Sequence, residues 1–186
     1  MQAIDLLLKR RSARSLTEPA PDAAALELIL ASAARAPDHG RLRPWRFVVI
    51  RAAARERFGD LLAEQLRRAH PGSTPETLER ERGKALRAPL IVVVGAHLNT
   101  QMPKVPPVEQ LLAVGAAAEA MMLAAVALGF NGMWKTGAPA YDEQVKAALG
   151  FESGDAIVGF MYLGTEAAAA AGDPPEDRWR DLVREF

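Results

Sequence analysis

The chain has 186 residues, 49% hydrophobic and 25% charged, a composition typical of one globular domain with its own core. Its 23 basic and 23 acidic residues give a net charge of zero, which argues against nucleic acid or an anionic membrane as a partner, because such partners select a basic surface. The absence of cysteine excludes disulfides, thiolate catalysis and zinc–thiolate sites. The N-terminus lacks the order of a signal peptide, so we expect a cytoplasmic protein.

The first half of the chain alternates helical and extended patterns. Ala3–Lys9 carries apolar residues on one helical face, and Asp22 is a good N-cap for a second helix with helical periodicity over residues 27–35. Trp45–Arg51 is rich in β-branched and aromatic residues and predicts a strand. Helical spacing returns over residues 55–69 and, in a charged and exposed form, over residues 76–86.

The second half contains the most apolar segments. Residues 90–94 form a continuous apolar run, which suits a strand covered on both faces. Residues 108–128 predict a long helix, apolar on nearly all sides, that ends before Gly129. Its central Glu119 and the lack of a flanking basic cluster favour a buried core helix over a membrane span. Strands are also predicted over residues 130–135 and 157–163, with a short helix over 142–149 between them.

These elements, about four strands and six helices, predict a single domain over residues 1–186 of the α+β or the α/β class. We expect three layers, with the helices outside a central sheet. The charged tail, residues 166–186, has too few apolar residues to form a core of its own. We expect this tail to pack on a partner subunit.

No self-sufficient catalytic constellation is present. The sequence lacks the G-x-S-x-G, H-E-x-x-H, P-loop and G-x-G-x-x-G motifs. His39, His70 and His97 do not have the spacing of metal ligands, so we predict no metal site. If the chain is an enzyme, its chemistry is therefore expected to belong to a cofactor.

The densest positive charge lies in residues 9–15, Lys-Arg-Arg-Ser-Ala-Arg-Ser, at the end of the first predicted helix. Arginine forks bind phosphate through paired hydrogen bonds, and hydroxyls add further donors, so this run suits a phosphate site. The alternative is that the cations only complement the helix dipole and remain solvated.

Three further segments suit a planar ligand, and each has a purely structural alternative. Residues 35–40 hold an arginine and a histidine ahead of Trp45, or else form a capped helix end beside a core indole. Residues 132–139 contain glycines that let backbone approach a ligand, or else form a strand and a turn. Residues 115–122 are mostly small and suit a flat ring, or else pack closely in the core or a dimer.

Taken together, these segments resemble the FMN-dependent nitroreductases, most closely their small YdjA-like branch. The resemblance rests on R-R-S, R-A-P-D-H and P-W-x-F-V-V-I in the first third, then K-V-P, A-A-V-A-x-G-F, G-x-W-K-T-G-A and I-V-G-F-x-Y-L-G-T in order. It spans residues 3–165. It implies a mostly antiparallel sheet flanked by helices, with the long central helix at a dimer interface.

The resemblance implies that FMN is bound through the cationic run. Arg10, Arg11 and Ser12 would hold its phosphate and ribityl chain. Arg14 would lie near the pyrimidine edge of the ring, where a cation stabilises negative charge on the reduced flavin.

It also implies contacts to the ring and to the nicotinamide nucleotide. Arg35 and His39 would reach the flavin from the partner subunit. The ring would be lined by Trp134, Lys135 and Thr136, with backbone N–H near its reactive nitrogen. Six residues that end the central helix would lie near the nucleotide, namely Ala124, Ala125, Val126, Ala127, Leu128 and Gly129.

The chain departs from larger relatives at one position. After Leu163-Gly164-Thr165 those relatives carry a basic residue for the phosphate, whereas Glu166 follows here. Arg178, Arg180 or neither takes that role. The shortness of the chain also implies little cover over the flavin, and hence an open substrate pocket.

The resemblance therefore implies a cytoplasmic homodimer that takes hydride from NAD(P)H. A nitroaromatic, a quinone or a similar electron-poor compound would be reduced by ping-pong kinetics. Two alternatives remain open: a flavin-binding carrier or regulatory protein without turnover, and a different redox reaction on the same scaffold, such as desaturation or dehalogenation. The sequence contains no motif that distinguishes NADH from NADPH.

Overall fold

The computed structural model describes residues 2–167 and 179–186, which contain six α-helices and five strands. The helices are α1 (Ala3–Lys9), α2 (Ala23–Ala33), α3 (Ala54–Ala69), α4 (Pro75–Arg82), α5 (Pro107–Ala127) and α6 (Glu143–Ala148). The strands are β1 (Leu16–Thr17), β2 (Trp45–Arg51), β3 (Leu90–Ala96), β4 (Asn131–Lys135) and β5 (Ala156–Glu166). The predicted helix over residues 76–86 divides into α4 and a short 3-10 turn, Gly83–Leu86.

All strands form one antiparallel sheet around β5. This strand pairs with β3 and β1 on one side and with β4 on the other, while β2 pairs with β3. The two-residue β1 was not predicted, because two residues are too few for a periodic pattern. Its pairing of Leu16 with Glu166 draws β5 three residues beyond the predicted end at Leu163.

The sheet has a helical layer on each face, as the α+β prediction required. Along β3, Val92 and Val94 face α2 and α5, whereas Ile91 and Val93 face α3. Successive side chains of a strand point to opposite faces, so both faces of β3 are buried. This double burial explains why residues 90–94 form a continuous apolar run.

Helix α5 is the one helix, among the residues the structure describes, that is long and apolar enough to cross a membrane. Val114, Ala117 and Met121 are fully buried against the sheet and α2, which identifies a core helix. However, only 44% of its most apolar window is buried, and Val108 and Leu112 are exposed. A single chain therefore covers only one face of this apolar helix, and the placement of the other face at a dimer interface stays a prediction.

The tail is described only in part. Residues 168–178 lie outside the described residues, and the candidate phosphate ligand Arg178 is among them. Residues Trp179–Leu182 form a short 3-10 turn, and the Arg180 guanidinium lies 4.7 Å from the centre of the Trp179 ring. The apolar tail residues that are described are all exposed. Packing of the tail on a partner subunit stays a prediction.

Candidate functional site

The cationic segment that follows α1 runs along the outer edge of β4. Ala13 is buried, and its backbone N–H donates a hydrogen bond of 2.9 Å to the carbonyl oxygen of Gly132. Because β4 pairs only with β5, the rest of its outer edge is open in the described chain. This hydrogen bond therefore fixes the arginines beside the beginning of an open strand edge.

Arg11 is held by its own chain. Its two terminal nitrogens donate to the two carboxylate oxygens of Glu166 at 2.6 and 2.8 Å, and the Asn131 amide donates to the same carboxylate at 3.0 Å. The hydrogen bonds from Arg11 hold the pKa of Glu166 below its ordinary value, against the opposing effect of burial. Each terminal nitrogen of Arg11 thus donates one hydrogen bond within the chain, and the role of Arg11 as a phosphate ligand stays a prediction.

Arg10 points elsewhere and is less constrained. Its Nε lies 3.3 Å from Oε1 of Glu119 on α5, and no other carboxylate is paired with it among the described residues. The terminal nitrogens of Arg10 remain available to a ligand. Ser12 and Arg14 are exposed, and within residues 2–167 and 179–186 neither side chain has a hydrogen-bond or ion-pair partner. Arg10 and Ser12, predicted for the phosphate end, and Arg14, predicted for the pyrimidine edge, therefore all have donors available to a ligand.

At the other end of β4, Trp134 and Lys135 do not share a face of the sheet. The Trp134 indole N–H donates to the carbonyl oxygen of Val158 at 3.2 Å and covers Gly159, where an added Cβ would lie 2.1 Å from the indole nitrogen. Lys135 lies on the opposite face, toward α3, as strand alternation requires. The two side chains therefore lie on opposite faces of the sheet, and the lining of the flavin ring by residues 134–136 stays a prediction.

The backbone of Trp134 nevertheless faces the open edge. In an antiparallel strand the N–H and C=O groups of every second residue point to the same side. Gly132 accepts a hydrogen bond on the outer side, so Trp134, two residues further on, presents its backbone groups there. This agrees with the predicted role of backbone N–H groups in this segment.

A cavity of about 250 Å³ opens beside Lys135 and Thr136, on the α3 face of the sheet. Its mouth includes Glu81, Lys84 and Arg87, from the end of α4 and the turn after it. These residues were missed because the charged, exposed pattern of residues 76–86 gives no sign that one side of the segment faces a cavity. Only the packing of this segment beside the end of β4 brings the charges there.

The floor of this cavity contains two buried polar side chains, Gln65 on α3 and Tyr162 on β5, which are 6% and 4% exposed. The polar atoms of these two side chains keep some accessible surface, because Arg55 Nε is the one fully buried side-chain nitrogen or oxygen without a hydrogen-bond partner among the described residues. Burial raises the pKa of Tyr162 to about 12, with a smaller opposing effect of Arg87, so its hydroxyl stays protonated.

Arg35 and His39 lie in the segment between α2 and β2. His39 Nδ1 is 2.5 Å from Oε2 of Glu109, and Arg35 lines a separate polar cleft of about 400 Å³ with Arg41 and Arg43. Glu109, the partner of His39, and Glu119, the partner of Arg10, are ten residues apart on α5. At roughly 1.5 Å per helical residue the two pairs are about 15 Å apart, so one chain does not unite these predicted site residues.

The segment predicted to lie near the nicotinamide nucleotide ends α5. Ala125 is fully buried, so its side chain is not available to a ligand. Ala127, Leu128 and Gly129 are exposed, and Gly129 has the positive φ of 88° expected for a residue that terminates a helix. The role of residues 124–129 in nucleotide binding stays a prediction, now limited to the exposed members.

Comparison with known proteins connects this geometry to a family. The model of the nitroreductase family matches residues 7–165. A protein of Escherichia coli strain K12 named "Putative NAD(P)H nitroreductase YdjA" is 43% identical over 171 residues, which cover 92% of each chain.

Two solved structures share the fold. The nitroreductase-like family protein from Bacillus cereus superposes with a TM-score of 0.83 at 22% identity, over 100% of this chain and 96% of that one. A variant of the FMN and NADPH-dependent nitroreductase NfnB from Sphigopyxis sp. strain HMH gives 0.79 at 21% identity, over 100% and 99%. Both likenesses confirm the predicted architecture.

Proposed function

Because the chain belongs to the nitroreductase family, we propose that it is an FMN-dependent oxidoreductase that transfers electrons from NAD(P)H to nitroaromatic, quinone or similar electron-poor acceptors. The names of its relatives support this assignment: the Escherichia coli protein is named for NAD(P)H, and the NfnB structure for FMN and NADPH. One observation in the chain itself carries the proposal. Arg10, whose ion pair with Glu119 involves Nε and leaves its terminal nitrogens available, lies at one end of an open strand edge, and a polar cavity lies at the other.

The spacing of these two features suits a molecule with a phosphate at one end and a ring at the other. From Asn131 to Lys135 the strand is about 13 Å long, at roughly 3.3 Å per residue. Three arginines, Arg10, Arg11 and Arg14, lie near the first end, where two carboxylates, those of Glu119 and Glu166, pair with Arg10 and Arg11. The net positive charge that results favours a phosphate at this end. The described residues therefore fit FMN.

In the proposed complex each part of the chain has a distinct task. Arg10, Ser12 and Arg14 bind the phosphate and ribityl chain, while Arg11 anchors the segment to β5. The backbone of Trp134 and the Lys135–Thr136 segment position the ring edge. When bound, FMN supplies the hydride-accepting chemistry, and the protein contributes position and electrostatics rather than an acid–base side chain.

We further propose that the enzyme is a homodimer, with two FMN sites at the interface. Ile4 and Leu8 of α1 and Val108 and Leu112 of α5 are large, exposed and apolar, and α1 contacts α5. Extended exposed apolar surface of this kind marks an interface. A second copy that covers it would also supply Arg35 and His39. Within a single chain the His39–Glu109 pair is about 15 Å from the Arg10–Glu119 pair.

The spectrum of the purified protein tests the function. We expect a flavin absorbance band after incubation with FMN, loss of that band with NADH or NADPH without oxygen, and its return when a nitroaromatic or a quinone is added. Failure to retain FMN would refute the proposal. Retained FMN that neither nucleotide reduces would favour the flavin carrier, and product analysis with an acceptor panel would reveal desaturation or dehalogenation instead.

Sedimentation of the Leu112→Glu variant tests the dimer. A carboxylate on the exposed face of α5 leaves the described core intact but is costly to bury in an interface. We expect a dimer for the natural protein and a monomer with weakened FMN retention for the variant. Exposed Leu86 serves as the control, because Leu86→Glu lies outside the proposed interface. An unchanged dimer in Leu112→Glu would remove α5 from that interface.

A further inference from the structure

A buried glutamine cross-links the segment that leads into α5. Gln110 is 1% exposed, and its side-chain amide donates to the carbonyl oxygens of Asn99 and Val105 at 2.9 and 3.0 Å. The Gln110 side-chain oxygen accepts a hydrogen bond of 2.8 Å from the backbone N–H of Asn99. Both N–H donors of the side chain are therefore used. One amide group thus fixes the two ends of the segment 99–105 against α5.

The end of this segment packs against the turn that carries His39. Val105 is buried, and a Cβ added at Gly40, the residue after His39, would lie 3.1 Å from Cγ2 of Val105. Gly40 has a φ of 72°, a conformation that residues with a side chain rarely adopt. The glycine therefore lets the turn and Val105 approach closely, and the position of Val105 limits how far the turn can move.

A second contact ties His39 to the same end of α5. Its Nδ1 lies 2.5 Å from Oε2 of Glu109, which directly precedes Gln110 in the helix. An imidazole ring whose Nδ1 is engaged in this way has Nε2 available to another group. The His39 side chain is 60% exposed, so a neighbouring molecule can reach it. Two adjacent residues of α5 thus hold the segment 99–105 and the histidine in a fixed relation.

We propose that Gln110 is a positioning residue for the FMN site of the partner subunit. Gln110 fixes the segment 99–105, and this segment together with Glu109 fixes the turn from which His39 reaches the flavin bound by the other copy. The inference rests on the proposed function, including the dimer. It adds to that function a residue that is buried in its own chain and acts on the cofactor only through His39.

FMN affinity measures the effect of Gln110 directly. Gln110→Leu removes the three hydrogen bonds and keeps a side chain of similar size, and we expect the Kd for FMN to rise about tenfold, as when one hydrogen bond to the cofactor is lost. Gln101→Leu, the same change at an exposed glutamine of the same segment, is the control and should bind FMN like the natural protein. Val105→Ala keeps the hydrogen bonds but weakens the contact with Gly40, and should show a smaller loss in the same direction.

Mixed dimers distinguish positioning across the interface from a general loss of stability. Copies with Gln110→Leu and copies with Arg10→Ala are given different tags and co-expressed, and the dimers that carry both tags are isolated. If Gln110 acts on the partner's site, one site of the mixed dimer has both substitutions and the other has neither. We therefore expect one FMN per mixed dimer to bind with natural affinity. If Gln110 acts within its own chain, each site has one defect, and the absence of any site with natural affinity would overturn the inference.

Amide hydrogen exchange tests the link between the two segments without FMN. In Gln110→Leu, residues 99–105 and residues 38–43 should both exchange faster than in the natural protein, while β3 keeps its protection. Faster exchange in residues 99–105 alone would overturn the inference, because the segment would then move without the turn. Should Gln110→Leu not fold, Val105→Ala takes its place in this measurement and in the mixed dimer.

Three outcomes separate this inference from the proposed function. FMN reduction by the natural protein, with unchanged FMN affinity in Gln110→Leu and Val105→Ala, would overturn the inference alone. Failure of the two tags to copurify would overturn the dimer and the inference but not FMN binding by a single chain. Failure of the natural protein to retain FMN would overturn the proposed function itself, and the role of Gln110 with it.

Discussion

The two ends of β4 differ in how their polar groups are satisfied. At the Asn131 end, Arg11 is matched by Glu166 and Arg10 by Glu119, so the chain compensates most of the charge itself. At the Lys135 end, the buried side chains of Gln65 and Tyr162 keep some accessible surface. At the Asn131 end, ion pairs within the chain hold the arginine side chains in place, and a few N–H donors remain available to a ligand. The second end is a cavity lined by polar and charged side chains, with room for part of a ligand.

The largest effect is expected at the cavity end of the strand, from Gly159→Ala. The new Cβ would lie 2.1 Å from the Trp134 indole nitrogen, so the indole has to leave the Val158 carbonyl. We expect a loss of about 2–4 kcal/mol of unfolding free energy, measured by urea denaturation. Gly83→Ala is the control, since a Cβ there meets nothing within 4 Å. Equal stability of both variants would show that Trp134 is not held as described.

The next largest effect is expected from Arg10→Ala, which tests the Asn131 end of β4. Its terminal nitrogens are the available phosphate donors, so their loss should weaken FMN binding by about 1.5–3 kcal/mol, or roughly ten- to hundredfold in Kd. Quenching of flavin fluorescence on binding measures this change. If FMN affinity does not fall, Arg10 is not a ligand.

Arg11→Met sharpens the contrast between the neighbouring arginines. Because both terminal nitrogens of Arg11 are engaged by Glu166, we expect its loss to change the Kd for FMN by less than about threefold, well below the effect at Arg10. The melting temperature should fall, because Glu166 loses its partner. A loss of FMN affinity as large as that caused by Arg10→Ala would instead support the role of Arg11 as a phosphate ligand, as predicted from the sequence.

The smallest effect concerns pH and Glu166. Arg11 lowers the pKa of this carboxyl in the folded protein, so the pair adds stability above the unfolded pKa of about 4.3, and this stability is lost as pH falls through the folded pKa. Melting temperatures measured from pH 7 to pH 3 should therefore decline less steeply in Glu166→Gln than in the natural protein. Parallel curves would mean that the pair contributes nothing measurable.

Much of the fold could be predicted because its causes are local. Asp22 and Asp142 accept hydrogen bonds from the backbone of Ala25 and Val145 at the starts of α2 and α6, as the capping pattern predicted. The strand at Trp45–Arg51 was predicted with its observed bounds. The cationic run and the glycine-bracketed strand were each singled out from the sequence, but only the structure shows that they are neighbours, through the hydrogen bond from Ala13 to Gly132.

The sequence did not predict the contacts between residues that are far apart in the chain. Arg11 and Glu166 are 155 positions apart, and no local sequence pattern predicts that their side chains form an ion pair. In the same way, Gln65 and Tyr162 look like ordinary helix and strand residues until α3 packs on β5 and leaves a cavity between them. Likewise, the apolar composition of α5 could not show which of its faces the chain itself covers.

By itself, the amino-acid sequence determined where this chain is helical or extended, which strand is buried on both faces, and where positive charge is concentrated. It could do so because propensity, capping and periodicity act over a few neighbouring residues. Tertiary structure alone decided which carboxylates pair with Arg10 and Arg11 and which faces of the sheet carry Trp134 and Lys135. It also decided which polar side chains line the cavity. These properties depend on contacts between segments far apart in the chain. Their geometry exists only once the layers have packed.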